Sequence, residues 1–502
     1  MRILHWFEGL LKHADREATF RALWFALLCL FALILLLRPW NGNEEYYFQL
    51  AYRTFSPDSF SGFHAVFDKS VSRYLVEYPI GWLVSVIGYD SAHTVVRTGQ
   101  VIVYATGFTI LFKGLKFSVL DALAVIAIVV ITGEQLYGGE WLFKGTEAKT
   151  FAYGAVVGAI GFGMRSNWQI AVVLMAIATW MHFLVGGFWM VALALFHFLR
   201  TKVIAHSFQL VALYSLLVLP LIILIGIEQF GQMFQQTSPS PTEIYVQRNS
   251  HHIAPYFGAV GKWEVWKWVE GIAATSLMFL AFAIYLPNAR DSALTKLVVL
   301  LLLYMLIALA VSYFDRNTFL VSKLYLFRPS SLTLLLAIVV ILSELRHSMF
   351  QRSELIRQLA LTTLVLLFFM METKSSLDYV SRSDDLYLTN LVSAAEQYSD
   401  PNEIVLVQPL PLFGRLDTFL PRQLDRPTLV SYKYVPTPPE YLIRWNELHE
   451  RRKQLFMGDC DALSEYPVSL LVVVDETVLD SVRGCGDIVW QDKKSYLVRI
   501  QH

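Results

Sequence analysis

The sequence predicts a polytopic α-helical membrane protein that carries a C-terminal α/β domain on its external side. The chain has 502 residues, of which 55% are hydrophobic and only 16% are charged, a composition more apolar than a soluble core requires. Long apolar runs recur through its first three quarters, and soluble patterning replaces them from about Glu372. The formal net charge of zero gives no indication of a nucleic-acid partner, whereas the apolar runs indicate a lipid bilayer.

The first three quarters of the chain predict about eleven membrane spans, because their apolar runs approach the length that crosses about 30 Å of hydrocarbon. Residues 1–21 are amphipathic and mixed in charge, and the first apolar run lacks a small-residue cleavage site, so we expect an interfacial helix at 1–21 and no cleaved signal peptide. The predicted spans are Ala22–Leu37, Thr94–Phe112, Leu120–Ile131, Phe151–Met164, Ile170–Met181, Leu184–Leu199, Leu210–Ile227, Ile272–Leu286, Leu297–Val311, Leu332–Leu342 and Leu359–Met371.

The distribution of basic residues predicts the orientation of these spans, because loops rich in lysine and arginine face the cytoplasm. The N-terminus is then cytoplasmic, and the protein lies in a bacterial inner membrane with its C-terminal domain in the periplasm. We therefore divide the chain into a cytoplasmic interfacial helix 1–21, a membrane domain 22–371 with a long first external loop 39–92, and an external α/β domain 372–502. The basic residues that set the orientation are Arg2, Lys12, Arg16, Arg21, Lys113, Lys116, Arg165, Arg200, Lys202, Arg290, Lys296, Arg346, Arg352 and Arg357.

The region 372–502 combines amphipathic helices with short apolar strands, which predicts a small α/β domain. Its two cysteines, Cys460 and Cys485, would face an oxidising compartment, where they could form a disulfide or remain separate thiols. The predicted elements are a helix at Asp385–Tyr398, strands at Ile404–Val407 and Leu470–Val474, a helix at Pro439–Phe456 and a strand pair around Ile488–Ile500.

Two adjacent acids, Glu44 and Glu45, follow the first predicted span and are our candidates for catalysis. A carboxylate at the exit of a membrane helix can act as a general base on a polar acceptor while a lipid-linked donor lies in the adjoining bilayer. The alternative is a solvated loop anchored by aromatic residues, an interpretation that we favour for most other charged residues of this loop.

Two further segments hold candidate substrate-binding residues. Glu147 and Lys149 open the fourth predicted span, where a lysine and a helix N-terminus suit lipid phosphate, although a snorkelling lysine explains them equally well. In a later external loop, Arg248, His251 and His252 suit a phosphate or diphosphate clamp. A metal site that includes a carboxylate from another loop, or a purely structural loop, would explain the histidines as well.

Two arginines at predicted membrane borders complete the set of candidates. Arg328 precedes the tenth span and suits an anionic lipid headgroup or a simple interface anchor. Arg97, near the outer end of the second span, is expensive in hydrocarbon and should face a cavity or an acidic partner. His93 lies nearby, but a lone histidine is weak evidence.

This layout resembles the GT-C superfamily of integral membrane glycosyltransferases, which take sugars from polyprenyl-phosphate carriers. The resemblance lies in the acidic pair after the first span, the long external loop, the many spans and the C-terminal external domain. It is most similar to poorly characterised bacterial members, through Gly138-Gly139 with Glu147, Lys149, Phe151 and Tyr153, through Arg248, His251, His252 and Pro255, and through Arg328-Pro329. Related families usually begin the pair with aspartate, so the choice of base between the two glutamates stays open.

The resemblance implies an inverting or retaining sugar transfer, in cell-envelope synthesis, to an acceptor hydroxyl of a glycan, lipid or protein. Glu44 would be the base, and Glu45 an alternate base, an orienting group or a metal ligand. Lys149, Arg248 and Arg328 would hold the negative charge of the departing polyprenyl phosphate. A divalent metal ion is compatible with this chemistry and not required by it.

Three other functions fit the sequence. An O-antigen-ligase or polymerase-like enzyme would use Arg248, His251 and His252 on a lipid diphosphate donor, without an acidic base. A transporter or flippase would line a midplane cavity with charges, whereas the charges here gather at the predicted outer edge. The third is an inactive partner within an envelope-assembly complex.

Overall fold

The computed structural model describes most of the chain, in two compact units. The first unit is assembled from Met1–Arg38, Thr94–Leu224 and Val246–Leu377, and the second from Pro39–His93, Ile225–Tyr245 and Asp378–His502. Most of the predicted interfacial helix at 1–21 lies outside the described residues. These are 19–56, 73–230, 239–253, 262–285, 292–348, 354–380, 384–409, 416–426, 429–433, 435–436, 439–493 and 495–501.

Helices dominate the described residues up to 398, and a small sheet follows. The helices are α1 (Phe20–Leu36), α2 (Gly42–Phe55), α3 (Tyr74–Ile87), α4 (Tyr89–Gly114), α5 (Val119–Ile131), α6 (Ala148–Met164), α7 (Trp168–Met181), α8 (Phe183–Thr201), α9 (Ile204–Phe230), α10 (Pro241–Arg248), α11 (Ser250–Ile253), α12 (Lys262–Tyr285), α13 (Ser292–Phe314), α14 (Ser330–Ser348) and α15 (Glu354–Val380). The C-terminal elements are α16 (Asp384–Tyr398), β1 (Ile404–Val407), α17 (Leu416–Gln423), α18 (Pro439–Phe456), β2 (Val468–Val473), α19 (Glu476–Val482), β3 (Gly486–Asp492) and β4 (Ser495–Ile500).

The polytopic helical fold class is confirmed. Each predicted span coincides with one helix, among α1, α4 to α9 and α12 to α15, except that Leu37 lies just past the end of α1 and Leu286 lies outside the described residues. Six helices of the described chain are long and apolar enough to cross a membrane, and four shorter apolar helices accompany them. These four helices have 10–17 residues, fewer than the roughly 20 that a full span needs.

Glycines allow a close helix crossing in the first unit, between α4 and α6. A Cβ atom at Gly107 would lie 2.2 Å from the carbonyl oxygen of Gly154, and one at Gly161 would lie 2.5 Å from the amide nitrogen of Leu111. Between apolar helices in lipid, association depends on such close backbone packing, since the hydrophobic effect gives little drive there. The crossing therefore tolerates only glycine at these positions.

We predict that Gly161→Ala destabilises the protein by about 1–3 kcal/mol, because the added methyl group forces the two backbones apart. The matched control is Gly99→Ala in α4, the other helix of this crossing. An added Cβ atom at Gly99 meets nothing within 4 Å. Alanine is the better helix former by about 1 kcal/mol, so the control should hold or raise stability. Thermal unfolding in detergent measures both, and equal melting temperatures for the two variants would contradict the crossing.

The described residues of the long first loop form two helices of the second unit, α2 and α3, and the first residues of α4. They touch backbone to backbone, since a Cβ atom at Gly81 of α3 would lie 2.0 Å from the carbonyl oxygen of Ala51 in α2. An ion pair within the same segment joins Arg73 to Glu77 at 2.9 Å. This packing holds the C-terminal half of α2 against α3.

The remainder of the second unit contains a four-stranded sheet in the order β1-β2-β4-β3. Strand β1 pairs in parallel with β2, and β4 pairs antiparallel with both β2 and β3. Along β2, Leu470 and Val472 belong to one apolar cluster, whereas Leu471 and Val473 belong to another. Since successive strand residues point to opposite faces, both faces of the sheet are covered.

Helices α16 and α17 cover one face of this sheet, and α18 and α19 cover the other. The predicted C-terminal α/β domain is thereby confirmed, with α17 and α19 as additions that the sequence did not indicate. Cys460 and Cys485 are joined in a disulfide, which links the segment after α18 to the start of β3. The question that their spacing left open is therefore answered by the structure.

Candidate functional site

A capping box places the acid pair at the start of α2. The side-chain oxygen of Asn41 accepts hydrogen bonds from the backbone amides of Asn43 and Glu44, at 2.8 and 3.0 Å. In return, Glu44 Oε2 accepts from the backbone amide of Asn41 at 3.0 Å. Reciprocal bonds of this kind satisfy orphan amides of a first helical turn. One oxygen of Glu44 is thus used in the cap, and the position of the carboxylate is fixed.

The other carboxylate oxygen of Glu44 faces His93. Glu44 Oε1 lies 3.3 Å from His93 Nε2, and both side chains are buried. The imidazole is held between aromatic rings, because Trp40 stacks on it at 3.7 Å and Phe48 meets it edge-on at 5.4 Å. An imidazole can gain or lose a proton near neutral pH, so this carboxylate has a partner of variable charge.

The carboxylate of Glu45 has a different partner, the guanidinium of Arg422. Arg422 donates to it through Nε and also through Nη2 at 3.4 Å. Arg422 Nη1 donates to Asp90 at 3.1 Å, and the guanidinium lies 4.2 Å from the centre of the Trp40 ring. A guanidinium stays charged at every physiological pH, so it compensates Glu45 permanently.

The first unit contains a second charged cluster, centred on Glu140. Arg328 Nη1 lies 2.8 and 3.1 Å from the two oxygens of this buried carboxylate. Lys149 Nζ lies 3.7 Å from Glu140, and the Tyr153 hydroxyl donates to it at 3.5 Å. His252 Nδ1 is 3.8 Å away and donates at 2.7 Å to the carbonyl of Gly138. Four charged or titratable groups distant in the sequence therefore converge.

Lys149 also contacts two further side chains of this cluster. Its ammonium group lies 2.8 Å from Glu147 Oε1 and 4.0 Å from the centre of the Trp141 ring. With Glu140 and Arg328 included, two carboxylates face two cations, so their formal charges cancel. A phosphate would gain attraction here by drawing a cation away from its carboxylate.

Arg97, Arg248 and His251 are the remaining residues that the sequence predicted to bind substrate. Arg97 donates to the carbonyls of Leu35, at 2.8 Å, and Arg38, and these contacts cap the C-terminal end of α1. Arg248 is buried at the end of α10. The side chain of His251 lies outside the described part of the structure. Substrate binding by these three residues stays a prediction.

Among the residues that the structure describes, no group of three or more His, Cys, Asp or Glu side chains has an arrangement suited to a metal ion. The sequence missed two residues of the clusters, Glu140 and Arg422, and gave little weight to His93. Glu140 stood next to the Gly138-Gly139 pair that we had singled out, so a signal for it was present. Arg422 had none.

The loop that leads to Arg328 is held by the carboxylate of Asp315. This carboxylate accepts from the amides of Val321 and Ser322 at 2.8 and 2.7 Å, and from the hydroxyls of Ser322, at 2.8 Å, and Thr318. Burial by itself would raise the pKa of Asp315, but the hydrogen bonds outweigh it and hold this pKa well below its ordinary value.

We predict that Asp315→Asn lowers the free energy of unfolding at pH 7 by about 1–3 kcal/mol, because the loop amides lose a charged acceptor. A depressed folded-state pKa stabilises above the unfolded pKa of about 3.9 and loses this contribution as pH falls further. The difference from wild type should therefore shrink below about pH 4. Melting temperatures across pH test this, with the exposed Asp480→Asn as control. A deficit independent of pH would refute the role of the charge.

Comparison with known proteins gives a weak structural likeness. No family model and no curated protein matches the chain. Two crystal structures of ArnT from Cupriavidus metallidurans, one in the apo state and one bound to undecaprenyl phosphate, align with TM-scores of 0.42 and 0.43. In both alignments the sequence identity is 11%, and the aligned region covers 96% of this chain and 97% of the ArnT chain. Likenesses at this level leave the family open, and the function below is argued from this chain's own residues.

Proposed function

We propose that this protein is a membrane glycosyltransferase that moves a sugar from a polyprenyl-phosphate-linked donor to an acceptor hydroxyl. The reaction would take place on the outer face of a bacterial inner membrane, in the synthesis of an envelope glycan, glycolipid or glycoprotein. The observation that carries the proposal is the acid pair at the start of α2, whose two fully buried carboxylates have partners of different chemistry. Helices able to cross a membrane would place the protein in the bilayer, where a lipid-linked donor resides.

Glu44 is the base in this proposal. A sugar hydroxyl loses its proton only as the new bond forms, so a positioned carboxylate must accept the proton in the transition state. Adjacent acids whose surroundings differ are suited to different roles. The imidazole of His93 beside Glu44 can respond to a change in charge, whereas the guanidinium beside Glu45 cannot.

Lys149 and Arg328 hold the departing polyprenyl phosphate in this proposal. Transfer of the sugar leaves negative charge on the phosphate oxygens, and fixed cations stabilise that charge most where water is scarce. Both side chains are largely buried, with relative exposures of 6% and 12%. Glu140 keeps the two cations compensated until a phosphate takes its place beside one of them.

The first test measures sugar release from radiolabelled polyprenyl-phosphate sugars by the protein reconstituted in liposomes. Glu44→Gln should slow transfer by about 10²- to 10⁴-fold, the usual contribution of a general base. Glu45→Gln should slow it less, because the neighbouring base remains. The control is Glu450→Gln, whose side chain is 53% exposed.

Two results would separate the alternatives. Consumption of a lipid-diphosphate glycan, with no release from any monophosphate donor, would assign the protein to the ligase or polymerase class. Movement of the lipid-linked sugar across the membrane without transfer would assign it to the flippases.

A second prediction concerns the donor phosphate. Lys149→Gln and Arg328→Gln should each weaken binding of undecaprenyl phosphate by about 10- to 100-fold, because a charged hydrogen bond contributes about 1.5–3 kcal/mol. Lys144→Gln is the matched control, since Lys144 is exposed and lies in the same segment as Lys149. Binding is measured by the thermal shift that the lipid causes. If both variants keep the wild-type melting temperature without lipid and bind the lipid with unchanged affinity, this role is excluded.

A further inference from the structure

Arg422 reaches the acid pair from a distant part of the sequence. It lies 377 residues after Glu45 and is buried, with 4% of its side chain exposed. It contacts two acids, of which Asp90 is 77% exposed and Glu45 is fully buried. Water compensates the charge of Asp90, so the acid that depends on the guanidinium is Glu45.

The α/β part of the second unit fixes the helix that carries Arg422. Asp417, in the first turn of α17, accepts from Arg452 Nη2 at 2.8 Å. Arg452 is itself completely buried and donates to the carbonyls of Val407, at the end of β1, and Val430. Phe419 and Leu420 of α17 belong to the apolar cluster on the sheet. The orientation of α17 is thus set independently of the acid pair.

A second connection joins α17 to the turn that carries the acids. The side-chain amide of Gln49 donates to the carbonyl of Thr418 and to the carbonyl of Glu45, both at 2.9 Å. Gln49 is itself buried, so neither bond competes freely with water. Arg422 therefore meets Glu45 at a place already defined by backbone contacts.

We propose that Arg422 is a positioning residue of the acid pair, which keeps Glu45 ionised and fixed so that Glu44 alone exchanges a proton with the acceptor. This inference rests on the proposed function, because it assigns a role within that reaction. It makes the C-terminal α/β domain a part of the transferase machinery, since that domain supplies the guanidinium.

Electrostatics explains why the pair needs such a residue. Two carboxylates in successive positions of one helical turn repel each other, and burial removes the water that would screen them. Without a permanent cation, one proton would be shared between them over part of the working pH range. With Arg422 present, Glu45 stays charged and only the pair of Glu44 and His93 responds to pH.

Other titratable groups surround the pair and belong to the same electrostatic environment. Tyr89, in the turn before His93, interacts electrostatically with Glu45, Arg422, Asp425 and Tyr52. Asp90 faces Arg422, and desolvation raises the pKa of Asp425. These groups are unchanged in every variant below. Differences between the variants therefore report on Arg422 and Glu45, with Arg451 as the control.

The experiment is a pH–rate profile of sugar transfer for wild type, Arg422→Gln, Arg422→Lys and the double variant Arg422→Gln/Glu45→Gln. We expect Arg422→Gln to move the acidic limb of the profile upward by about 1–3 pH units, because the two carboxylates then share a proton. The double variant should move that limb back, since the second negative charge is gone. Arg422→Lys should lie near wild type, and Arg451→Gln, at an exposed ion pair of α18, should leave the profile unchanged.

A merely structural salt bridge would lower the melting temperature in Arg422→Gln without moving the profile, and that result overturns the inference. If Arg422→Gln does not fold, Glu45→Gln with Arg422 intact decides. Transfer retained within about tenfold of wild type supports Glu44 as sole base, whereas loss as large as a missing general base assigns the proton to Glu45 and overturns it. A wild-type protein that releases no sugar from any polyprenyl-phosphate donor would instead refute the proposed function.

Discussion

A carboxylate that leaves water must be compensated, and the compensation of Glu45 by Arg422 is the interaction on which the candidate site depends. Glu45 is fully buried, and an unpaired charge in such a place is strongly destabilising. The guanidinium requires α17, and α17 requires the Asp417–Arg452 pair beneath it. A chain of buried ionic contacts therefore runs from the sheet of the second unit to the first turn of α2.

The first unit solves the same problem with different partners. Asp121, at the start of α5, is paired with Arg357 at 2.8 Å and accepts from Ser118. Asp315 accepts hydrogen bonds from loop amides and hydroxyls. Glu140 differs from both, because it faces a lysine, an arginine and a histidine together. Its lysine also faces Glu147, so two cations are shared by two acids, and an entering anion would compete with an acid for one of the cations.

The sequence predicted local structure well, because local structure follows from periodicity. Apolar runs gave the helices α1, α4 to α9 and α12 to α15, and the apolar segments 404–407 and 470–474 gave strands β1 and β2. The capping box of Asn41 and Glu44 was not among our predictions, although the two residues have the spacing of that motif. The full burial of both acids could not be predicted, because it depends on packing of α2 with α3 and α17.

Partners distant in sequence could not be predicted for a related reason. Arg422 looked like an ordinary residue of a polar segment, and only the fold brings it to Glu45 across 377 positions. Glu140, Lys149 and Arg328 were near recognised motifs, yet their convergence follows from the packing of α6 and the segments before α6 and α14. The sequence shows which charged residues are present, whereas the fold determines which of them form ion pairs.

The partners also explain why two neighbouring glutamates need not be equivalent. A guanidinium remains protonated throughout the physiological range, so it holds the charge on Glu45 constant. An imidazole changes its own charge within that range, so the proton balance of Glu44 with His93 can follow the reaction. In the proposed roles, Glu45 keeps its charge throughout the reaction, and this constant charge keeps the electrostatic surroundings of Glu44 fixed. The difference between the two acids thus arises from the residues that face them, and one of these comes from the C-terminal domain.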